Sequence, residues 1–162
     1  MKKKDNKIIV ITGASSGIGK CTADMYRKMG NTVINISREP ELGYEEYSYT
    51  CDVSDEEKVK NTFEAIKEKY GHIAILINCA GFGVSGALEL IPTETFKSIM
   101  DVNLMGVYYC SKYALPLMSK GSKIINISSA LGLWSVPFRG MYCTSKAAVL
   151  SFTYAQRLEL CE

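Results

Sequence analysis

The chain has 162 residues, room for one domain of ordinary size. Its 19 Lys and Arg against 17 Asp and Glu leave a net charge of +2, which argues against a polyanion-binding surface and so against nucleic acid as the partner. With 47% hydrophobic and 22% charged residues, the composition excludes disorder and permits a core.

Taken in chain order, short apolar runs alternate with helical patterns. Residues 7–12 form a β-branched run that ends in glycine, and residues 17–29 have helical spacing that stops at Gly30. Residues 32–36 read as a second strand and 47–51 as a weaker third. Residues 55–70 are a polar amphipathic helix, with Ser54 as the expected N-cap and Gly71 as its end. Residues 73–78 are a strand continuous in Ile and Leu, the pattern of burial on both faces. Residues 93–119 are helical in at least one piece, 123–128 are another buried strand, and 141–160 are a final helix. This repetition predicts an α/β, doubly wound, parallel sheet of about five strands, with helices on both faces and no internal linker.

Only ten residues, Ser37 to Glu46, join the second and third strands. A parallel crossover usually takes a dozen or more, so an abbreviated loop is expected there, with the third strand as a weakly anchored edge. The longest run without a formal charge, 71–88, contains four glycines, Asn78, Ser85 and His72, which no spanning helix tolerates. Lys2 to Lys4 followed by Ile8 to Ile11 opens like a signal peptide, but the apolar stretch is too short and runs into a glycine turn. The six cysteines, Cys21, Cys51, Cys79, Cys110, Cys143 and Cys161, show neither metal-ligand spacing nor a C-x-x-C pair. A reducing, cytoplasmic compartment and no metal follow as expectations.

Thr12-Gly13-Ala14-Ser15-Ser16-Gly17-Ile18-Gly19 stands between the first strand and the first helix. Glycines there allow a tight turn and let phosphate oxygens approach N–H groups at a helix N-terminus. At the end of the second strand Ser37-Arg38 carries no acid. An acid would suit the free ribose of NAD, whereas Arg38 suits a 2′-phosphate and Ser37 adds a neutral donor, so NADP(H) is expected over NAD(H). The other reading of Arg38 is a solvated arginine paired with Glu39 or Glu41.

Tyr142 and Lys146 lie at i and i+4, hence on one helix face. A free tyrosine holds its proton far above neutral pH, and a neighbouring ammonium favours the phenolate, the tuning that a general acid/base requires. Ser129 lies 13 residues upstream, just past a strand, where open α/β sheets bind ligands. Asn103 sits early in a helical stretch.

Together with the glycine turn, the order Asn103, Ser129, Tyr142, Lys146 resembles the catalytic tetrad of the short-chain dehydrogenase/reductase family. The glycine pattern G-x-x-x-G-x-G resembles that family's own, Asp52-Val53 resembles its adenine-contacting pair, and Asn78-Cys79-Ala80-Gly81 is similar to its Asn-Asn-Ala-Gly with one Asn replaced by Cys79. The resemblance implies a Rossmann-like sheet in the order 3-2-1-4-5 over residues 1–162, incomplete at the C-terminal end and lacking further strands. It implies a dinucleotide held by Gly13, Ser15, Ser16, Gly17, Ile18, Gly19, Ser37, Arg38, Asp52, Val53, Asn78, Ala80, Gly81, Tyr142 and Lys146. Tyr142 would exchange a proton with a carbonyl or alcohol substrate, Ser129 would hydrogen-bond the same oxygen, Lys146 would hold the ribose, and Asn103 would support a water relay. A fragment that binds dinucleotide without turnover and an NADP-linked epimerase are the alternatives.

Two further expectations concern the surface. His72 reads as a surface cap, and Trp134, Val136, Pro137 and Phe138 either wall a substrate pocket or pack under a loop. Apolar residues surround most of the last helix, which predicts burial on more than one side. The resemblance places a homo-oligomer interface on the helices at 102–119 and 141–160.

Overall fold

In a computed structural model, which describes residues 6–160, the β-branched run Ile8–Thr12 forms the central strand β1. Lys2 to Lys4 and Cys161 lie outside the described residues. Helix α1 spans Gly17–Lys28, followed by β2 (Thr32–Ser37), β3 (Ser48–Thr50), α2 (Glu56–Tyr70) and β4 (Ile75–Asn78). Next come α3 (Thr93–Met100), α4 (Gly106–Ala114), β5 (Lys123–Asn126) and α5 (Gly140–Glu159). The five strands form one sheet in the order β3-β2-β1-β4-β5, and every pair is parallel. Fold class and strand order match the expectation.

Alternation along β1 divides the core. Val10, with Ile34 and Leu76, packs under Val59, Phe63 and Ile66 of α2 and Cys110 and Ala114 of α4. Ile9 and Ile11 face the other way, with Val33 and Ile77, against Ala23 and Tyr26 on the α1 side. Burial on both faces is what continuous rather than alternating apolar strands require. The register brings Thr12 level with both Ile36 and Asn78, and Asn78 level with Asn126. The carboxyl ends of three strands are therefore polar and adjacent.

Several local expectations need correction. The N-cap of α2 is Asp55, whose carboxylate accepts from Lys58 N at 3.1 Å. Ser54 lies one residue outside the cap position, and its hydroxyl donates to Asp52 Oδ1 at 2.7 Å. The stretch 93–119 is helical, as expected, in successive pieces: a π-helical turn, Asp101–Met105, lies between α3 and α4, and a 3-10 turn, Leu115–Leu117, follows α4. Strand β5 is not buried, since Lys123 and Ile125 are exposed and, among the described residues, no strand pairs with its outer edge. Helix α5 buries one side only, through Cys143, Val149 and Gln156, while Leu158 is 82% exposed.

The link between β2 and β3 is the short loop expected, with a single 3-10 turn, Glu45–Tyr47, and β3 is an edge strand of three residues. His72 is exposed and its Nδ1 lies 3.1 Å from Leu117 O. Trp134 and Phe138 are exposed, so neither packs beneath a loop. Phe138 has φ 64°, a left-handed backbone unusual for an aromatic residue. Among the described residues no helix is long and apolar enough to cross a membrane.

Candidate active site

The carboxyl ends of the strands open onto a cleft of about 590 Å³. Ligands of open α/β sheets bind at this side, where helix N-termini and loop N–H groups converge. One end of the cleft is lined by Ser37, Arg38, Glu39, Asp52 and Val53, the middle by Gly13 and Ser15 to Gly19, and the other end by Cys79 to Gly83, Tyr142 and Lys146.

The glycine turn is built by two close approaches. Gly13 takes φ 72° and its N–H donates to Ile36 O at 2.8 Å, while Ala14 N donates to the buried Asn35 Oδ1 at 2.9 Å. A Cβ on Gly19 would stand 2.2 Å from Gly13 O, so no side chain fits there. The N–H groups of Ser16, Gly17 and Ile18, at the start of α1, have no acceptor among the described residues. Such groups, with the positive end of the helix dipole, suit phosphate.

Thr12 joins this turn to the end of β4. Its Oγ1 accepts from both Cys79 N and Ala80 N at 2.9 Å. Asn78 is buried and sits behind the cleft wall, donating to Ser111 Oγ at 3.2 Å and Asn126 Oδ1 at 2.8 Å. Its own Oδ1 is buried without a partner. Cys79 stands where the resembling motif has Asn, and its backbone N–H is still held by Thr12.

Tyr142 and Lys146 project from the first turns of α5, with Lys146 Nζ 5.8 Å from the Tyr142 ring centroid. Lys146 is 5% exposed and donates to Ile127 O at 2.9 Å. Burial pushes its ammonium below the ordinary lysine value, and the neighbouring Cys79 opposes that in part. Burial likewise pushes the Cys79 thiol up, opposed by Lys146. A Cβ on Gly83 would come 2.6 Å from Tyr142 Cδ2, so the chain passes the tyrosine ring with no space for a side chain.

The other two residues of the expected tetrad do not line the cleft. Asn103 is completely buried in the π turn, where its Oδ1 accepts from Phe82 N and its Nδ2 donates to Phe82 O and Ser145 Oγ, each at 2.9 Å. Ser129 caps the short turn Ala130–Gly132, accepting from Leu131 N at 3.2 Å, while its neighbour Ser128 lines the cleft. At the far end, Ser37 spends its proton on Glu39 O and accepts from Asn35 Nδ2, so it offers no free donor. Asp52 lines the cleft while its Oδ1 accepts from Ser54 N and Oγ.

Arg38 forms no ion pair among the described residues. Arg38 does not pair with Glu41, which binds Arg27 and Lys20 instead. Sequence reasoning missed Thr12, Gly83, Ser145 and the cleft-lining Arg139. Only Thr12 had a visible signal, a hydroxyl immediately before the glycine turn.

A family model for the short chain dehydrogenases matches residues 7–162. The chain belongs to this family. The 3-ketodihydrosphingosine reductase of Bacteroides thetaiotaomicron is 41% identical over 157 residues, which are 95% of this chain and 58% of that protein. The chain thus spans less than two thirds of the length of that curated relative. Among solved structures, ElxO with NADP bound is 35% identical with a TM-score of 0.88, covering 95% of this chain and 68% of the other. An NAD+-bound xylitol dehydrogenase is 26% identical with a TM-score of 0.88, covering 98% and 66%. Of these two neighbours one holds NADP and the other NAD+, and the chemistry of the family is oxidoreduction.

Proposed function

We propose that the protein is an NADP(H)-dependent oxidoreductase that interconverts a carbonyl and a secondary alcohol. The observation that carries this reading is one cleft bordered by Arg38, which has no ion pair among the described residues, by a helix N-terminus whose N–H groups have no acceptor among them, and by the Tyr142–Lys146 pair. The residues present fit a dinucleotide, with phosphate donors in the middle and a cation at the end that meets the adenosine. A bound nicotinamide dinucleotide supplies the hydride.

The chain's own residues then move and hold the proton. During reduction Tyr142 gives its phenolic proton to the substrate oxygen, and during oxidation it accepts one. The ammonium of Lys146 stabilises negative charge on the phenolate and holds the ribose. Ser129, beside the cleft-lining Ser128, accepts a hydrogen bond from Leu131 N and keeps its own proton, which a rotation of its side chain towards the cleft would bring to the substrate oxygen. Asn103 fixes the segment around Phe82 and supports a water relay towards bulk solvent.

Arg38 contributes the charge that reads a 2′-phosphate, and Asp52 with Val53 borders the adenine. The apolar and aromatic residues left exposed on α4 and α5, including Tyr108, Tyr154 and Leu158, serve as a homo-oligomer interface. A cytoplasmic site of action accords with five free cysteines among the described residues.

The test titrates the protein with NADPH and NADH by dinucleotide fluorescence, then adds a panel of ketones and follows absorbance. Tighter NADPH binding, lost in Arg38→Ala, and consumption that disappears in Tyr142→Phe are expected. Binding without consumption by any ketone would leave a dinucleotide-binding protein without turnover. Tighter binding of NADH would remove the role given to Arg38.

A further inference from the structure

The loop between β2 and β3 holds one residue out of place for its surroundings. Residues 38–46 are exposed except Glu41, which is 2% exposed. A buried carboxylate is retained only with full pairing, and Glu41 has it. Arg27 of α1 grips it in parallel, Nη1 to Oε1 at 2.8 Å and Nη2 to Oε2 at 2.7 Å, and Lys20 reaches Oε1 at 3.3 Å. The ring of Tyr44 lies 3.7 Å from Arg27 Cζ, so the guanidinium meets the loop's carboxylate at its edge and the loop's own aromatic residue on its face.

Ser48 Oγ accepts from Glu41 N at 3.2 Å and donates to Tyr44 O at 3.0 Å. At the other end Ser37 Oγ donates to Glu39 O. The intervening span is Arg38-Glu39-Pro40, and Pro40 has a fixed φ. It is pinned at both ends.

This span borders the cleft with two opposite charges side by side, the guanidinium of Arg38 and the carboxylate of Glu39. A cation there favours a 2′-phosphate, and an anion favours a free ribose. The sign that a ligand meets depends on how the span is set. Buried ion pairs of this kind contribute orientation more than net stability.

We infer that Glu41, clamped by Arg27, is a specificity-determining residue: it sets the Arg38–Glu39 span so that the dinucleotide cleft presents a cation to the 2′-position. The inference rests on the NADP(H) reading above. Glu41 is a positioning residue and touches no ligand.

The test measures Kd for NADP+ and NAD+ by calorimetry on the wild-type chain, Glu41→Gln and Tyr44→Leu. Preference for NADP+ is expected to fall about tenfold in Glu41→Gln, the loss of one charge-assisted contact, with NAD+ binding changed less than about twofold. Limited trypsin digestion of the free protein provides a second measurement, and cleavage after Arg38 is expected to quicken in both variants. Tyr44→Leu removes the stack without leaving a buried charge, and carries the test if Glu41→Gln does not fold. An equal loss for both dinucleotides, or an unchanged ratio with unchanged cleavage, overturns the inference. A wild-type chain that does not prefer NADP+ overturns the cofactor reading instead, and the wild-type ratio tells the two failures apart.

Discussion

Asn103 pairs with the backbone of Phe82 as a neighbouring strand would, its amide oxygen accepting from Phe82 N and its amide nitrogen donating to Phe82 O, both at 2.9 Å. The side chain stands in for the strand that the segment after β4 lacks. Because it is wholly buried, Asn103→Ala leaves Phe82 and the Ser145 hydroxyl without these partners. A destabilisation of roughly 2–4 kcal/mol is expected. Urea denaturation checks it, and a loss below about 0.5 kcal/mol would show that water replaces the amide.

Gly83→Ala is a steric test of the proposed acid/base residue. The new methyl would sit 2.6 Å from the Tyr142 ring, forcing the tyrosine or the loop aside. Misplacement by an ångström costs about a hundredfold in a well-oriented site. Turnover is expected to fall by one to two orders of magnitude, on the order of 10–100-fold, while dinucleotide Kd stays near the native value. Steady-state kinetics beside a fluorescence titration separates the two quantities.

Lys146→Met separates stability from rate. Burial holds the Lys146 ammonium below its ordinary value, opposed in part by Cys79. The folded state therefore binds this proton less firmly than the unfolded chain, and stability on this account rises with pH up to the unfolded value of about 10.4. At neutral pH the charge is a cost, set against the hydrogen bond to Ile127 O. The variant is expected to match native stability within about 1 kcal/mol, or exceed it, while losing turnover. A thermal melt of both proteins decides.

Glu41 gives the opposite pH signature. Burial opposes its charge, but the hydrogen bonds and charge of Arg27, with Lys20, outweigh that and hold the carboxyl below the ordinary glutamate range. Its contribution is complete above the unfolded value of about 4.3 and is lost as pH falls through the lower folded value. Glu41→Gln should melt lower than wild type at neutral pH, and the gap should narrow as pH drops towards about 3. Parallel curves at all pH values would contradict the pairing.

Leu158 and Tyr154 on α5 are 82% and 62% exposed. The double change Tyr154→Asp, Leu158→Asp should shift sedimentation velocity profiles towards monomer without altering the circular dichroism spectrum. An unchanged profile would place any self-association elsewhere.

The parts of this molecule legible in its sequence are those governed by periodicity and turn chemistry. Ile8 to Thr12, the glycines after it and the apolar run ending at Asn78 determine strand, turn and strand locally, so a parallel α/β sheet with a turn suited to phosphate could be read from them, whereas the order of its strands came from the resemblance to the short-chain dehydrogenases. Tyr142 and Lys146 were legible because four residues make one helical turn. Glu41 was not: in a stretch with Pro40 and Gly43 a glutamate reads as solvated, and its burial depends on Arg27, 14 residues away. The cap is Asp55 rather than Ser54 because the helix begins at Glu56, one residue later than the polar pattern indicates. The exposure of β5 depends on what lies beside it, which the run Lys123 to Ser128 does not encode.

The π turn at Asp101–Met105 amounts to one residue inserted into a helix. Each residue of an α-helix turns the axis by about 100°, so deleting one residue within the turn would restore a regular helix and swing Asn103 to another side of it. The amide could then no longer reach Phe82. Register in this helix is thus counted in whole residues. Substitutions at Asp101, Val102, Leu104 and Met105 keep the count and with it the placement of Asn103, whereas a single-residue deletion should abolish the arrangement at once, so that outside Asn103 this turn is constrained more tightly in length than in identity.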